Sequence, residues 1–208
     1  MGRFMLYRQR YFTPSIRLTG WNYATPGWYF ITICVKQRYK NPFGFIKNGY
    51  MCLSDIGETA HQYWLNIPEH FPHMQLDAFV IMPDHMHGIV YMKPSGRDAI
   101  NRVSTRGFHQ TGGVTKQNNP MLHPTSLPHI IRWYKGVTTF YIRKKQPDQY
   151  FHWQPRYYDE IIRTPRQLDY TRQYIYNNPK KMFYSTHSAC ARVYSSSWDT
   201  SNHLLEKG

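Results

Sequence analysis

The stretch that most constrains the fold is Phe79–Met92, an apolar run that contains two histidines separated by a single residue. In an extended strand the side chains alternate between faces, so His85 and His87 point to one face and Met86 to the other. The residues that flank the pair are apolar on both faces, which indicates a strand in the protein core. The fold must therefore bury this strand and still present two imidazoles at its start.

Two neighbouring imidazoles on one rigid strand form a bidentate ligand set for a metal ion. The alternative is a pair of histidines at a strand end that is satisfied by hydrogen bonds or by solvent. The pair comes directly after Pro83-Asp84, at the start of a core strand, and this position favours histidines that are presented to a ligand.

The chain of 208 residues is long enough for one domain with a core and an appendage. It carries 26 Lys and Arg against 12 Asp and Glu, a formal net charge of +14. This surplus favours nucleic acid as a partner over a basic surface without one. Aromatic residues make up 17% of the chain, and rings that stack on exposed bases favour single strands, although duplex binding stays open.

The cysteines Cys34, Cys52 and Cys190 are widely spaced and form neither a zinc-type pair nor a disulfide framework. No apolar run reaches the length of a transmembrane helix, and the N-terminal residues lack the apolar centre of a signal peptide. The sequence therefore predicts a cytoplasmic protein with no membrane partner.

Local patterns predict strands and helices in the first half of the chain. A β-branched and aromatic strand covers 27–35, and Asn48-Gly49 is typical of a two-residue hairpin turn. Ser54 is typical of an N-cap and begins an amphipathic helix over 55–66. A further strand over 75–82 leads into the strand that begins with the histidines.

Basic residues recur outside these elements. Residues 1–20 are either a solvated tail or a basic arm that lies along phosphates. Residues 93–125 are rich in Gly, Ser, Asn and Pro and predict a mobile linker, either disordered or a lid over a substrate groove. The amphipathic helix that Ser126 caps has a basic side, which either contacts phosphates or is a solvated face. The candidate nucleic-acid contacts on this helix are Arg132, Lys135, Arg143 and Lys144.

The last helix has clear boundary signals. Thr164–Gln167 forms a capping box with a proline at the first helical position. The helix is predicted to run from Leu168 to about Asn177 and to end there because the residue before Pro179 is disfavoured in the α region.

Tyr170, Tyr174 and Asn178 on this helix are four residues apart and fall on one face. If that face turns toward the histidines, it brings a nucleophile and an oxygen ligand to the same metal. The alternative for any of these tyrosines is a packed or stacking ring.

Three segments together resemble one family in their order and spacing: Met82–Val90, Trp153–Arg163 and Tyr174–Pro179. They are similar to the REP-associated tyrosine transposases, relatives of the small single-strand transposases of the HUH class (His, hydrophobic residue, His). The resemblance covers roughly residues 14–185.

The resemblance implies an α+β fold, a ferredoxin-like antiparallel sheet with helices packed on one face, in a single domain. The HUH-type transposase/endonuclease domain would span 21–185, including the mobile linker 93–125. The basic arm 1–20 would precede it and a polar tail, 186–208, would follow.

The resemblance also implies roles for individual residues. His85 and His87 match the metal-binding pair, Tyr174 matches the nucleophile, and Asn178 matches the residue that completes a site for Mg²⁺ or Mn²⁺. One position departs from the family, because Glu160 stands where many relatives have a histidine. Any role for that position is therefore in doubt.

The function that follows is that of a DNA transposase, a site-specific single-stranded DNA endonuclease and strand transferase. It would act on hairpin-containing DNA through a 5′-phosphotyrosine intermediate, as a monomer or a homodimer. Two alternatives stay open: a non-catalytic protein that binds single-stranded or hairpin nucleic acid, and a metal-dependent phosphoesterase in which water attacks.

Overall fold

The computed structural model of the protein describes residues 21–94 and 124–196, together with two short strands near the N-terminus. The elements in chain order are β1 Leu6–Tyr7, β2 Arg10–Tyr11, β3 Gly27–Cys34, β4 Gly44–Lys47, β5 Tyr50–Leu53, α1 Asp55–Leu65, α2 Ile67–His70, β6 Met74–Ile81, β7 His85–Met92, α3 Leu127–Lys145, β8 Tyr158–Ile162 and α4 Pro165–Ser196.

Four strands form one antiparallel sheet in the order β6-β7-β3-β8. The strands and helices β3-α1-β6-β7-α3-β8 follow the βαββαβ pattern of the ferredoxin-like fold, in which the first strand lies between the third and the fourth. The prediction of a single α+β domain with a ferredoxin-like antiparallel sheet is confirmed.

The predicted hairpin turn and two of the predicted caps hold, whereas Ser126 lies at the N-cap position of α3 without a capping hydrogen bond from its side chain. Asn48 and Gly49 have φ values of 53° and 79°, which is the left-handed pair that a tight hairpin turn between β4 and β5 requires. The Ser54 hydroxyl accepts the Gly57 N–H at 3.2 Å and caps α1. The Gln167 N–H donates to the Thr164 hydroxyl at 3.2 Å, as expected of the capping box.

One face of the sheet holds the main core. Alternate residues of β3 and β7 point to this face, where α1 and α3 pack over them. Trp64 of α1 and Tyr134 of α3 are fully buried and meet edge to face with their ring centroids 5.2 Å apart. Gly88 lies directly under Trp64, and a Cβ at this position would be only 2.4 Å from Trp64 Cζ2.

The opposite face of the sheet is covered by α4, so the prediction that the helices pack on one face holds for α1 and α3 but is wrong for α4. Ala78, Ile89 and Ile162 point to this second face and are buried with Ile175 of α4. These apolar side chains need a cover of their own because a strand with apolar residues on both sides must be packed on both sides. The histidines of β7 belong to this second face.

The predicted end of the last helix is also wrong, because α4 continues through Pro179 to Ser196. A proline inside a helix removes one backbone hydrogen bond and costs about 3 kcal/mol. Ile175 and Pro179 are both buried against the rest of the molecule, and this packing outweighs the local preference.

Other predictions fall on parts of the chain that the structure describes only in part. Most of the arm 1–20 and of the linker 93–125 lies outside the described residues, as does the end of the tail 186–208. Within the described ranges, no helix combines the length and the apolar character that crossing a bilayer requires.

Candidate catalytic site

Strand β7 and its neighbour β3 form the sheet side of the site. His85 and His87 open β7 and project toward α4 because Met86, between them, points into the main core. The two Nε2 atoms lie 3.1 Å apart. The predicted pairing of these imidazoles on one face is therefore what the strand geometry produces.

The Nδ1 atom of each histidine has a partner of its own. His85 Nδ1 donates to Asp84 Oδ1 at 2.5 Å, and His87 Nδ1 bonds to the Thr32 hydroxyl at 2.8 Å. A carboxylate only accepts, so the hydrogen of this bond lies on His85 Nδ1, and the His85 Nε2 atom faces His87 Nε2. The threonine hydroxyl can donate or accept, so it holds the His87 ring in either tautomer.

Asp84 is in turn held by Arg38, whose Nε donates to Asp84 Oδ2 at 2.5 Å. Burial raises the pKa of the Asp84 carboxyl, but the hydrogen bonds from His85 and Arg38 outweigh this effect and the net pKa is lower than usual. Asp84 is therefore an anion at neutral pH, as a carboxylate that orients a metal-binding histidine should be.

His87 is the more enclosed of the two imidazoles, with 6% of its surface exposed. Burial, together with the neighbouring His85, lowers the pKa of His87 to about 3. The ring is consequently neutral at physiological pH, which is the form that offers a lone pair to a metal ion.

Tyr174 comes to the site from α4. Its hydroxyl lies 3.4 Å from His87 Nε2 of the same chain. Phe30 of β3 holds both rings, stacking on His87 at a centroid distance of 5.4 Å and meeting Tyr174 edge to face at 6.0 Å. Lys181, two turns further along α4, places its Nζ 5.6 Å from the centre of the Tyr174 ring. The structure thus brings the predicted nucleophile and the predicted metal pair together within one chain.

An ion pair fixes this part of α4 to the sheet. Arg172 donates to both carboxylate oxygens of Asp77, with Nε–Oδ1 and Nη2–Oδ2 distances of 2.9 and 2.7 Å. Asp77 lies where β6 shifts register against β7 between Leu76 and Phe79. A bulge of this kind redirects a side chain, and here it directs Asp77 toward the helix that carries Tyr174.

The remaining predicted ligand is less constrained by contacts. Asn178 is half-buried on α4, one turn beyond Tyr174, and its role as a ligand stays a prediction. Glu160, the position that departs from the family, accepts a hydrogen bond from Gln167 at 2.7 Å and so ties β8 to the start of α4. Among the described residues, no cluster of three or more His, Cys, Asp or Glu could hold a metal ion.

The two histidines nevertheless fit a divalent metal. Two ligand atoms about 2.1 Å from one ion and at right angles to each other are about 3.0 Å apart, and the Nε2 atoms are separated by 3.1 Å. Their Nδ1 atoms are already bonded to Thr32 and Asp84, which is the usual arrangement around a histidine ligand.

The predicted nucleic-acid contacts lie on α3, across the sheet from Tyr174. Arg132, Arg143 and Lys144 are exposed. Lys135 is different, because its ammonium donates to the backbone carbonyl groups of Gln154 and Arg156. Burial lowers the pKa of Lys135 to about 8. The hydrogen bonds of the Lys135 ammonium are therefore made to the protein's own backbone, and its role as a DNA contact stays a prediction.

Three residues support the site although the sequence did not identify them as functional: Thr32, Asp84 and Arg38. Asp84 had a signal, since it directly precedes His85. Thr32 had none, because only the register of β3 against β7 places it opposite His87, 55 residues away.

The fold and these side chains define a class: a ferredoxin-like α+β protein whose sheet presents a His-x-His pair to a tyrosine on a covering helix. The chain is 38% identical over 175 residues to a protein from Haemophilus influenzae described as an uncharacterized protein, with 79% of this chain and 87% of that protein covered. The chain belongs to the same family as this Haemophilus protein. No protein-family model matches it.

Among solved structures, the chain is similar to a REP-associated tyrosine transposase bound to a REP hairpin. The TM-score is 0.52 at 18% sequence identity, with 82% of this chain and 74% of that chain covered. At this level of identity the two proteins share the fold.

Proposed function

We propose that the protein is a DNA transposase of the HUH type, a metal-dependent endonuclease and strand transferase that cuts single-stranded DNA next to a hairpin. The observation that carries the proposal is the meeting of three groups in one chain. The Tyr174 hydroxyl lies 3.4 Å from His87 Nε2, which lies 3.1 Å from His85 Nε2. The shared fold with a REP-associated tyrosine transposase supports it.

In this proposal His85, His87 and Asn178 hold Mg²⁺ or Mn²⁺. When bound, the ion would supply Lewis-acid stabilisation of charge on the scissile phosphate. Thr32 and Asp84 keep the two imidazoles oriented with Nε2 toward the ion. The two histidines and Tyr174 lie together in one copy of the chain, which supports a reaction that needs no residue from a second copy.

Tyr174 supplies the nucleophile. Its oxygen attacks the phosphorus, the bond from phosphorus to the 3′-oxygen breaks, and the 3′-oxygen takes up a proton while the phenol loses one. The products are a 5′-phosphotyrosine and a free 3′-hydroxyl. The ammonium of Lys181, near the Tyr174 ring, favours the negative charge that develops on the phenol oxygen.

The reverse of this step joins strands. A different 3′-hydroxyl attacks the phosphotyrosine, a new phosphodiester bond forms and Tyr174 is released. Because the phosphodiester is conserved in the intermediate, neither ATP nor a second nucleophile is needed. The proposal places the protein in the cytoplasm, where free thiols such as those of Cys34 and Cys52 stay reduced.

Covalent capture tests the proposal. The protein is incubated with a labelled single-stranded oligonucleotide that contains a hairpin, in the presence of Mn²⁺, and is then run on a denaturing gel. We expect a band shifted by the mass of the oligonucleotide that disappears in Tyr174→Phe. Tyr170→Phe and Tyr176→Phe are matched controls, because both rings lie on the same helix and are exposed.

The same experiment separates the alternatives. Cleavage that persists in Tyr174→Phe would indicate a phosphoesterase in which water attacks. Binding of the hairpin without cleavage or capture in the wild type would indicate a non-catalytic binding protein. We expect His85→Ala to abolish cleavage while it leaves the affinity for the hairpin nearly unchanged, and a parallel loss of binding would contradict the metal assignment.

A further inference from the structure

A groove runs along α3 on the face of the molecule that does not contain Tyr174. Its volume is about 670 Å³, and it is largely open to solvent along its length. Gly136, Phe140, Arg143 and Lys144 line it from α3, and His152 and Trp153 line it from the segment that leads to β8. We propose that this groove binds an unpaired segment of the DNA strand, separately from the cleavage site; the inference rests on the proposed function.

The charge of the groove selects an anion. Arg143 and Lys144 are exposed, and within the described ranges neither forms an ion pair with a carboxylate. The pKa of His152 is lowered by burial and by the positive charges of Arg143 and Lys36. A concave surface lined by one sign of charge concentrates counter-ions, and phosphates along a strand meet this requirement.

Gly136 is the feature that points most directly to a ligand. It lies inside the 19-residue helix α3, where a glycine is less favourable than alanine by up to about 1 kcal/mol. Apart from its two neighbours and the backbone of the helix itself, no atom of the described residues lies within 4 Å of the position that its Cβ would take, so packing among these residues does not require a glycine there. The glycine does keep the groove open, and a ligand that approaches the helix backbone would benefit from this space.

The walls of the groove suit a base as well as a phosphate. Phe140 is 61% exposed, so most of its surface, apart from its contact with the Tyr141 ring, is accessible to a stacking base. The opposite wall is held rigidly, because Lys135 bonds to the Gln154 and Arg156 carbonyl groups and the Lys36 N–H donates to His152 O at 2.8 Å. The groove is thus formed before any ligand binds.

The position of the groove separates its role from cleavage. α3 covers one face of the sheet, and α4 with Tyr174 covers the other. A strand in the groove therefore leaves the Tyr174 site accessible, and binding to the groove can be measured without cleavage.

The first test uses fluorescence anisotropy with a labelled oligo-dT of about ten nucleotides, a length typical of single-strand sites. We expect Arg143→Gln combined with Lys144→Gln to weaken binding about tenfold or more and to reduce its salt dependence. Lys144→Gln alone is compared with Lys145→Gln as its matched control, since each removes one positive charge from the same helix but the Lys145 Nζ lies 3.5 Å from the Thr59 hydroxyl on α1, away from the groove. Equal effects of Lys144→Gln and of Lys145→Gln would overturn the proposal.

The second test fills the groove without changing its charge. We expect Gly136→Leu to weaken binding of oligo-dT about tenfold, which is typical of the loss of a stacked base. Thermal stability should stay equal or rise, because leucine favours the helix and meets open space. An unchanged affinity in a folded Gly136→Leu protein would contradict the proposal even if the charge variants behave as expected.

The third test separates unpaired bases from phosphates alone. An abasic oligonucleotide and a duplex of the same length are compared with oligo-dT. We expect oligo-dT to bind more tightly than both, and Phe140→Ala to reduce this preference. Equal affinity for all three probes would overturn the assignment to an unpaired strand. If the wild type is captured on Tyr174 but binds no oligo-dT in the groove, this inference fails and the proposed function stands. If oligo-dT binds in the groove but no capture occurs, the proposed function fails and the groove remains a binding site.

Discussion

The two faces of the sheet differ in how they are packed, although they share the same strands. On one face, α1 and α3 enclose a core that includes fully buried Trp64 and Tyr134. On the other face, α4 lies over a smaller apolar cluster beside two imidazoles and a phenol. Strand β7 contributes Met86 and Val90 to the first face and His85 and His87 to the second.

This difference shows how a rigid strand can hold reactive groups in place. The core side determines where β7 lies, since its side chains there are enclosed and cannot move without displacing others. The side chains on the opposite face stand on the same rigid strand, and these include the two imidazoles beside Tyr174. Changes on the core side should therefore alter stability, and changes on the α4 side should alter chemistry.

The largest expected effect is on the α4 side. We expect His87→Ala to reduce the rate of covalent capture by about 10³-fold or more, equivalent to about 4 kcal/mol of transition-state stabilisation. Because the buried ring stacks on Phe30 and its removal leaves a cavity, we also expect a loss of about 1–3 kcal/mol in the free energy of unfolding, smaller than the effect on capture. Single-turnover capture kinetics and urea unfolding measure the two effects. A capture rate close to that of the wild type would show that His87 takes no part in the reaction.

Gly88→Ala, one residue along the same strand, should show the opposite behaviour. Its Cβ would lie 2.4 Å from Trp64 Cζ2, and we expect a loss of about 2–3 kcal/mol in the free energy of unfolding from overpacking. Urea denaturation gives the value. If Gly88→Ala is as stable as the wild type, the main core accommodates an added methyl group. The two faces would then not differ in packing as we infer.

The ion pair between Asp77 and Arg172 joins α4 to the sheet, and we expect Asp77→Asn to lose about 2 kcal/mol of stability at pH 7. The hydrogen bond from Arg172 lowers the pKa of the Asp77 carboxyl below its usual value, against the effect of burial. The unfolded chain therefore takes up this proton first as the pH falls. The stabilisation is complete above the ordinary aspartate pKa of about 3.9 and is lost as the pH falls through the lower folded-state pKa.

The difference between wild type and Asp77→Asn should therefore shrink in acid, and urea unfolding at a series of pH values tests this. Asp169→Asn is the matched control. It removes the other carboxylate that Arg172 contacts, at 3.0 Å, but Asp169 is well exposed and its loss should matter little. A constant difference down to pH 2 would mean that the charge of Asp77 does not stabilise α4.

The smallest effect concerns the orientation of an imidazole. Thr32→Val preserves the shape of the side chain but removes the hydroxyl that bonds to His87 Nδ1 at 2.8 Å. We expect capture to slow about tenfold, as is usual when the partner of a metal-binding histidine is removed. The Mn²⁺ concentration required for half-maximal capture should rise by a similar factor. Thr59→Val on α1, where the hydroxyl donates to the Asp55 carbonyl, is a control at a distance from the site, and similar effects of both variants would argue against an orienting role for Thr32.

Much of this architecture could be predicted from local sequence. The Asn48-Gly49 turn, the Ser54 cap and the alternation around His85 each depend on a few adjacent residues, and each element lies where its signal predicts. The identity of Tyr174 as a site residue came from the family resemblance, and the structure brings its hydroxyl to His87.

The rest depends on contacts between distant parts of the chain. No local pattern indicates that Asp77 will meet Arg172, 95 residues away, because the bulge in β6 that directs it depends on the pairing with β7. The continuation of α4 through Pro179 also depends on distant contacts. Local preference favours an end of the helix there, and the burial of Ile175 and Pro179 opposes it.

The most direct test of the account is to locate the nucleotide after capture. The captured protein is digested with trypsin and nuclease, and the peptide 173–180, which contains Tyr174 and Tyr176, is fragmented in a mass spectrometer. We expect the added nucleotide phosphate on Tyr174 alone, and only when a divalent metal and both histidines are present. A nucleotide on Tyr176, or capture that persists without His85 and His87, would contradict the central claim that the tyrosine and the two imidazoles act as one site.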